Sequence, residues 1–256
     1  MNNYEKLEGM VAATFTPLDE NGDVNLSVID KYADWIASTP IKGVFVCGTT
    51  GEFSSLTIDE RNLILEKWLV SARKRFKVIA HVGSNCQRSA MELARHAAQV
   101  GADAIASIAP SFFKPGTVDE LVDFFAPICH SAAGLPFYYY NMPSITGVNL
   151  PVDKFLVEGK KKIPNLVGTK FTHNNLMEMG VCIELEQHRF EVLHGYDEIL
   201  ISGLAMGAVA GVGSTYNYIP NVYQAIFDSM KMNDLETARH NQIKSIRTVE
   251  VIIKYG

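Results

Sequence analysis

One lysine stands inside an apolar segment of the chain, where a charged amine is costly to bury. Lys170 belongs to the run LVGTKF at 166–171, which carries no other charged residue. A side-chain amine in apolar surroundings tends to lose its proton, and a neutral amine is the nucleophile that forms a Schiff base with a ketone. Two alternatives stay open for this residue alone. The amine can reach out to water at a strand end, or it can pair with a buried carboxylate.

Three consecutive tyrosines lie in a second apolar segment, PFYYYN at 136–141. Side chains on a strand alternate between its two faces, so Tyr138 and Tyr140 share one face and Tyr139 lies on the other. Tyr140 is nearest to the end of the segment and is best placed to present its hydroxyl in a cavity. The alternative is a set of packed aromatic rings whose hydroxyls bond to the backbone.

Hydroxyls, glycines and carboxylates follow several other apolar segments. In GTTGE at 48–52, Thr49, Thr50 and Gly51 precede a predicted helix, an arrangement that suits a small anion such as a carboxylate. Ordinary capping threonines are the alternative. Polar residues at 195–198 and 213–215 can hold a polyol, although acids are also common in the first turn of a helix. The residues of interest there are Gly195, Asp197, Glu198, Gly213 and Ser214.

Eight short segments rich in β-branched and aromatic residues alternate with amphipathic stretches along the chain. The predicted strands are 10–16, 43–48, 77–83, 102–109, 136–141, 166–171, 190–195 and 208–213. The predicted helices include 58–73, 87–100, 118–132, 176–187 and 234–254. Thr57 with Glu60, and Thr117 with Glu120, fit the capping-box pattern that begins a helix.

Eight βα units of roughly 30 residues predict parallel strands joined by right-handed crossovers. Eight strands close a barrel, whereas open doubly wound sheets more often stop near five or six. A (β/α)8 TIM barrel uses about 250 residues, nearly all of this 256-residue chain. We therefore predict an α/β fold with a catalytic barrel over 1–232 and the start of a C-terminal helical region over 233–256. Catalytic groups on such a barrel lie at the carboxyl ends of the strands, where the residues above are found.

The composition argues for one well-packed globular unit and against several other classes of protein. Hydrophobic residues make up 47% of the chain and charged residues 20%, enough apolar material for a large core. The formal net charge is −5 and no basic run is present, so no nucleic-acid partner is expected. No signal-peptide segment is visible. The uncharged stretch 199–227 is interrupted by glycines and Pro220, and is predicted to be a helix followed by a strand rather than a membrane span.

The cysteines and histidines form no metal or disulfide pattern. The four cysteines are far apart and include no CxxC pair, so a reducing cytoplasm is the expected location. The seven histidines show neither HxH nor HExxH spacing, and no metal site is expected. His81 and His194 lie in or at the ends of predicted strands, where we expect hydrogen-bonded structural roles. No glycine-rich nucleotide-binding motif opens a helix.

Three segments, in their order and spacing, resemble those of a known family. They are GTTGE at 48–52, YNMP at 140–143 and GTK at 168–170. This set is similar to that of the N-acetylneuraminate lyase / dihydrodipicolinate synthase family, class I aldolases that act through a pyruvate Schiff base in a (β/α)8 barrel. The resemblance runs from about Leu7 to Gly256 and its motifs are highly specific.

The resemblance implies a role for each candidate residue. Lys170 corresponds to the Schiff-base lysine and Tyr140 to the proton relay, with no cofactor beyond that covalent adduct. Thr49, Thr50 and Gly51 correspond to the site for the substrate carboxylate. The pocket for the hydroxylated tail of a sugar acid corresponds to Thr172, Gly195, Asp197, Glu198, Gly213 and Ser214.

Within the family, the sialic acid lyases resemble the chain more than the synthases do. The segments at 7–14, 195–198 and 213–217 are similar to those of the lyases. Synthases generally carry an arginine for the carboxylate of aspartate semialdehyde where this chain has Ile145, and an aliphatic side chain cannot replace a guanidinium. The resemblance implies cleavage of sialic acid to N-acetylmannosamine and pyruvate. The alternatives are another pyruvate-dependent aldolase or synthase of the family, or a catalytically silent barrel that binds a sugar acid.

Two features depart from the family pattern. Many relatives carry a second tyrosine, supplied by a neighbouring subunit, just after the fourth strand, where this chain has Phe112 and Phe113. A proton relay through that hydroxyl is therefore not expected. Relatives also continue through further C-terminal helices, so the end at Gly256 is interpreted as a truncation. The family's homotetramers imply the same assembly here.

Overall fold

The computed structural model describes residues 4–255 and shows a closed barrel of eight parallel strands in chain order. The strands are Gly9–Ala13 (β1), Gly43–Val46 (β2), Lys77–His81 (β3), Ala104–Ile108 (β4), Phe137–Asn141 (β5), Leu166–Phe171 (β6), Glu191–His194 (β7) and Ala210–Gly213 (β8). Each strand pairs with the next, and β8 pairs with β1 to close the barrel. The predicted (β/α)8 architecture is confirmed.

Helices pack on the outside of the barrel, between successive strands and after β8. They are Val28–Ala37 (α1), Ile58–Ala72 (α2), Gln87–Val100 (α3), Val118–Ser131 (α4), Pro143–Thr146 (α5), Val152–Lys162 (α6), Leu176–Glu184 (α7), Leu200–Ala205 (α8), Pro220–Lys231 (α9) and Leu235–Tyr255 (α10). The stretch 199–227 forms α8, β8 and most of α9. Between residues 4 and 255, no helix has the length and apolar character needed to cross a membrane.

The bounds of β6 and α3 are as predicted, whereas several strands are shorter than their apolar runs. The predicted runs extend by one to three residues beyond the strands, at one or both ends. The capping box of α2 is complete, since Thr57 Oγ1 accepts from Glu60 N at 3.3 Å and Glu60 Oε2 accepts from Thr57 N at 2.7 Å. At α4, Thr117 Oγ1 accepts from Glu120 N, but the Glu120 carboxylate accepts from Gly116 N instead. Of the two hydrogen bonds that define the predicted capping box of α4, only the one accepted by the Thr117 hydroxyl is present.

Apolar side chains fill two layers, one inside the barrel and one between the strands and the helices. Tyr138 and Tyr140 belong to the inner layer. Tyr139 points outward, with its ring centroid 5.4 Å from that of Phe125 and 4.6 Å from that of Phe155. The alternation predicted for the three tyrosines is confirmed, and it places the Tyr140 hydroxyl near the carboxyl end of the barrel interior.

Candidate active site

Lys170 projects from β6 into the barrel and is 4% exposed. Its Nζ lies 4.3 Å from the centroid of the Phe45 ring and 4.0 Å from that of the Tyr140 ring. No ion pair or hydrogen bond engages this amine within residues 4–255. The lysine therefore neither reaches out to bulk water nor forms a salt bridge with a described carboxylate. It is a buried amine held between two aromatic faces.

Tyr140 is the residue of β5 that pairs in register with Lys170 of β6. Its hydroxyl lies 3.1 Å from Thr49 Oγ1, with either oxygen able to donate, and it donates to the Met142 sulfur at 3.1 Å. The ring is T-shaped against Phe45, with centroids 5.6 Å apart. The ends of β2, β5 and β6 therefore meet around one small space that contains an amine and two hydroxyls.

The turn after β2 has an unusual backbone that shapes the GTTGE segment. Cys47 and Glu52 both adopt the left-handed region, with φ of 53° and 55°. A Cβ on Gly51 would lie 3.0 Å from the carbonyl oxygen of Thr14, so a larger residue there requires the neighbouring backbone to move by a few tenths of an ångström. In the described part of the chain, the N–H groups of Thr49 and Thr50 meet no hydrogen-bond acceptor. Free amides and a hydroxyl in one turn suit a carboxylate.

The acid at the end of β7 is held by the turn after β8. Asp197 is 6% exposed, and its Oδ2 accepts hydrogen bonds from Thr215 N at 2.7 Å and from Thr215 Oγ1 at 2.6 Å. Burial raises the pKa of Asp197, against the opposing effects of the Thr215 bonds and the Lys170 charge. A Cβ on Gly213 would lie 2.3 Å from Asp197 Cγ, so glycine is required to admit the carboxylate.

The other candidates for the sugar pocket lie at the same end of the barrel. Thr172 is 3% exposed, and its hydroxyl finds no hydrogen-bond partner in the chain from 4 to 255. A Cβ on Gly195 would lie 1.9 Å from Thr172 Oγ1, so the Thr172 side chain packs directly against Gly195 and only glycine fits there. Glu198 and Ser214 are half-buried and bond to no other candidate residue within the described chain. Burial, followed by the Asp197 charge, raises the pKa of Glu198.

The structure adds residues that the sequence did not single out. Phe45 forms one wall around the Lys170 amine, and an apolar strand residue offers no signal of such a contact. Thr215 fixes the Asp197 carboxylate, whereas the sequence indicated only that the segment 213–215 is polar. Among residues 4–255, no group of three or more His, Cys, Asp or Glu side chains converges to hold a metal ion.

The two strand-end histidines differ from each other. His81 bonds through Nδ1 to the carbonyl of Cys47 at 2.8 Å, as expected for a structural histidine. His194 faces outward from β7 and packs against Gly203 of α8, where neither ring nitrogen meets a hydrogen-bond partner in the described chain. His194 is a buried structural residue, as expected, and is held by helix packing rather than by close hydrogen bonds of its ring nitrogens. Burial lowers the pKa of His194 to about 4, so the ring stays neutral.

A family model described as "Dihydrodipicolinate synthetase family" matches residues 6–255. The chain belongs to this family. Among curated members, N-acetylneuraminate lyase of Mus musculus is 42% identical over 98% of this chain and 80% of the mouse protein. Family membership predicted from the three motifs is thereby confirmed.

Solved structures of an N-acetylneuraminate lyase and of a sialic acid aldolase superpose closely on this barrel. Proteus mirabilis N-acetylneuraminate lyase gives a TM-score of 0.96 at 35% identity, covering 98% of this chain and 85% of the other. A Ruminococcus gnavus sialic acid aldolase, solved as a catalytic lysine mutant, gives a TM-score of 0.92 at 27% identity, covering 98% and 81%. The similarity therefore includes the whole barrel and α10.

Proposed function

We propose that this chain is a class I aldolase, a carbon–carbon lyase that cleaves N-acetylneuraminate reversibly to N-acetylmannosamine and pyruvate. The observation that carries the proposal is the buried Lys170 amine, free of any partner in residues 4–255 and enclosed by Phe45 and Tyr140. Similarity to the mouse and Proteus mirabilis lyases over most of both chains supports this substrate.

The first step is capture of the keto acid. The free amides of Thr49 and Thr50, in the turn that also contains Gly51, hold the substrate carboxylate. This places the neighbouring keto carbon of the open-chain sugar acid against Lys170. The amine adds to that carbon and water leaves, which gives a cationic iminium. The positive nitrogen then accepts the electron pair of the bond to be broken.

The second step is proton transfer at the cleaved bond. The Tyr140 hydroxyl lies 3.1 Å from Thr49 Oγ1 and on the ring that faces Lys170. We assign to it the removal of the proton from the sugar hydroxyl at the cleaved bond, a role that general acid–base groups perform within hydrogen-bond reach. N-acetylmannosamine leaves, the remaining enamine is protonated, and hydrolysis releases pyruvate and restores the amine. No metal or further cofactor takes part in these steps.

The hydroxylated tail of the sugar acid extends over the ends of β6, β7 and β8. The Thr172 hydroxyl is buried with no hydrogen-bond partner in residues 4–255, and the bonds from Thr215 use only one oxygen of Asp197, so we assign both groups to the sugar hydroxyls. Buried polar groups left without partners discriminate strongly between ligands that satisfy them and ligands that do not. The residues assigned to this pocket are Thr172, Gly195, Asp197, Glu198, Gly213 and Ser214.

A substrate panel tests the proposed reaction. The chain is incubated with N-acetylneuraminate, with a 2-keto-3-deoxy sugar acid that lacks the acetamido group, and with pyruvate plus aspartate semialdehyde. Pyruvate and N-acetylmannosamine released from the first substrate, with the highest kcat/KM of the three, are the expected result. Preference for the second or third substrate, or no turnover by folded protein, contradicts the proposal.

We also propose that the chain acts as a homotetramer in the cytoplasm. Exposed apolar residues after β4 and β5 support association between copies of the chain. Phe112 and Phe113 are 77% and 86% exposed, and Ile145 is 59% exposed. Four free cysteines, three of them buried, fit a reducing compartment. Light scattering of the purified protein tests the assembly.

A further inference from the structure

Behind the turn that follows β2 lies a buried arginine without a counter-charge. Arg61 of α2 is 5% exposed. Its two Nη atoms donate to the carbonyl of Gly83 at 2.9 Å and to that of His81 at 2.7 Å, while Nε has no partner in the described chain. Within residues 4–255, no carboxylate forms a salt bridge with it. A buried charge without an opposite charge is costly, so this group is exceptional.

The groups next to Arg61 do not neutralise it. Burial raises the pKa of the neighbouring Cys47 thiol to about 11, so the thiol is uncharged at neutral pH. Burial lowers the pKa of Arg61 itself to about 10, which leaves the guanidinium protonated at neutral pH. The face of Phe53, the residue after the GTTGE segment, lies 5.4 Å from its Cζ. The positive charge therefore persists among neutral groups.

Arg61 donates to the backbone carbonyl of His81, and the neutral His81 side chain links the ends of β2, β3 and β4. The N–H of Ile108 in β4 donates to His81 Nε2 at 3.3 Å, so the ring proton lies on Nδ1 and is donated to the Cys47 carbonyl at 2.8 Å. Burial, the Arg61 charge and the Lys170 charge hold the pKa of His81 well below its usual range. The ring also packs against Tyr140, with centroids 5.9 Å apart.

Both side chains act on the turn that contains Thr49 and Thr50. Cys47 adopts the left-handed conformation, with φ of 53°, and such a backbone persists only when its surroundings hold it. Its carbonyl is fixed by His81, and its thiol lies beside Arg61. Thr49 follows two residues later, within about 8 Å of Cys47 along the chain. Arg61 therefore contacts the residue two positions before Thr49, at the start of the turn whose Thr49 and Thr50 amides have no acceptor among residues 4–255.

We propose that Arg61 is a positioning residue for the substrate carboxylate, acting through the turn at Thr49 and Thr50 and through its unpaired charge. The inference rests on the proposed function, because it assigns a selectivity to that site. A cation in a low-dielectric interior attracts an anion several ångströms away far more strongly than it does in water. The free protein bears the cost of the buried charge, and binding of a carboxylate nearby offsets it. Arg61 therefore favours keto acids over neutral ketones of similar size.

Reductive trapping with cyanoborohydride separates this role from a purely structural one. The rate of adduct formation on Lys170 is measured with pyruvate and with hydroxyacetone, a ketone that lacks the carboxylate. In Arg61→Gln and Arg61→Met the pyruvate rate is expected to fall about tenfold while the hydroxyacetone rate stays within about twofold, as loss of one buried charge requires. Arg61→Lys keeps the charge and is expected to retain most of the preference for pyruvate.

Control variants distinguish failure of the role assigned to Arg61 from failure of the proposed function. Arg75 also donates to two carbonyls, those of Ser71 and Ala72, but at the other end of α2, so Arg75→Gln should leave both rates unchanged. Thermal unfolding confirms that each variant is folded. The methionine variant removes both the charge and the two donors, whereas the glutamine variant removes the charge but keeps an amide that can donate to the carbonyls of Gly83 and His81. An equal fall with both ketones, or no fall with pyruvate, overturns the role of Arg61. Absence of any adduct in the unsubstituted chain instead overturns the proposed function.

Discussion

Both ends of the barrel interior bury an ionisable group beside a tyrosine of β5, but they differ in how the chain satisfies it. At the amino end, Glu191 accepts hydrogen bonds at its Oε2 from the Tyr138 hydroxyl at 3.0 Å and from Leu7 N at 2.9 Å. Tyr138 is bonded in turn to Tyr4. At the carboxyl end, no group in the described chain bonds to the Lys170 amine.

The difference shows how one scaffold separates stability from chemistry. Hydrogen bonds to a buried polar group offset part of the cost of burying it, and removal of a partner leaves the group unsatisfied. An amine left without partners is available to a substrate. The same strands supply both ends, so substitutions at equivalent places should have opposite effects on activity and stability.

The largest expected effect is that of Lys170→Ala. Removal of the nucleophile should lower turnover of N-acetylneuraminate by at least about a thousandfold, while the fold persists. Steady-state assays and thermal unfolding measure the two. Lys160 is the matched control, since its Nζ donates to the carbonyls of Pro164 and Leu166 at the other end of β6. Lys160→Ala should keep full turnover, and appreciable activity of Lys170→Ala would refute the comparison.

Next in size is the contrast between Tyr140→Phe and Tyr138→Phe, two changes on one face of one strand. Tyr140→Phe should lower kcat by about 10²- to 10⁴-fold, because a general acid–base group is lost, with little change in stability. Tyr138→Phe should lower the free energy of unfolding by about 1–3 kcal/mol, because Glu191 loses a donor, with kcat unchanged. Assays and urea unfolding of both variants measure this. Equal losses of kcat in the two variants would contradict the assignment of chemistry to the carboxyl end and of stability to the amino end.

A smaller effect is expected from Asp197→Asn, which tests whether the carboxyl end of the barrel has separate regions for the substrate carboxylate and for the sugar tail. Loss of the buried carboxylate should raise KM for N-acetylneuraminate about tenfold, since a charged hydrogen-bond acceptor is replaced by a neutral one. Trapping of pyruvate should be unaffected, because Asp197 is assigned to the sugar tail. If the pyruvate adduct is lost as well, the assignment of separate carboxylate and sugar regions is wrong.

The smallest effect is a pH dependence of stability at the amino end. Burial raises the pKa of Glu191 above its ordinary 4.5. Its ionised form therefore opposes folding at neutral pH, and this opposition is lost as the pH falls through the raised pKa. Glu191→Gln does not titrate. The stability of the variant relative to the unsubstituted chain should be greatest at pH 7 and decline toward pH 4.5, as urea unfolding measures. A difference that does not change with pH would contradict this account.

Local patterns predicted the fold and the placement of the candidate site residues at one end of the barrel. The alternation of apolar strands with amphipathic helices requires only neighbouring residues, and it located β6 and Lys170 correctly. The period of two along β5 separated Tyr140 from Tyr139. Strand ends of a parallel barrel meet at one face, so the order of the strands was sufficient to bring the GTTGE turn to Lys170.

Contacts that depend on barrel closure could not be predicted from the sequence. Arg61 follows a capping box and has the local pattern of a helix-surface residue, yet it is buried because α2 packs over the end of β3. The bond from Leu7 to Glu191 joins residues 184 positions apart. Thr215 reaches Asp197 only because β7 and β8 are adjacent. Each depends on side-chain directions set by the closed sheet, which periodicity does not encode.

The most direct test of the central claim is to incubate the protein with pyruvate and borohydride and then map peptides by mass spectrometry. The account predicts one reduced pyruvyl adduct, on the peptide that contains Lys170, and none in Lys170→Ala. No adduct on folded protein, or an adduct on a different lysine, would contradict the claim that the unpaired amine in the barrel is the nucleophile.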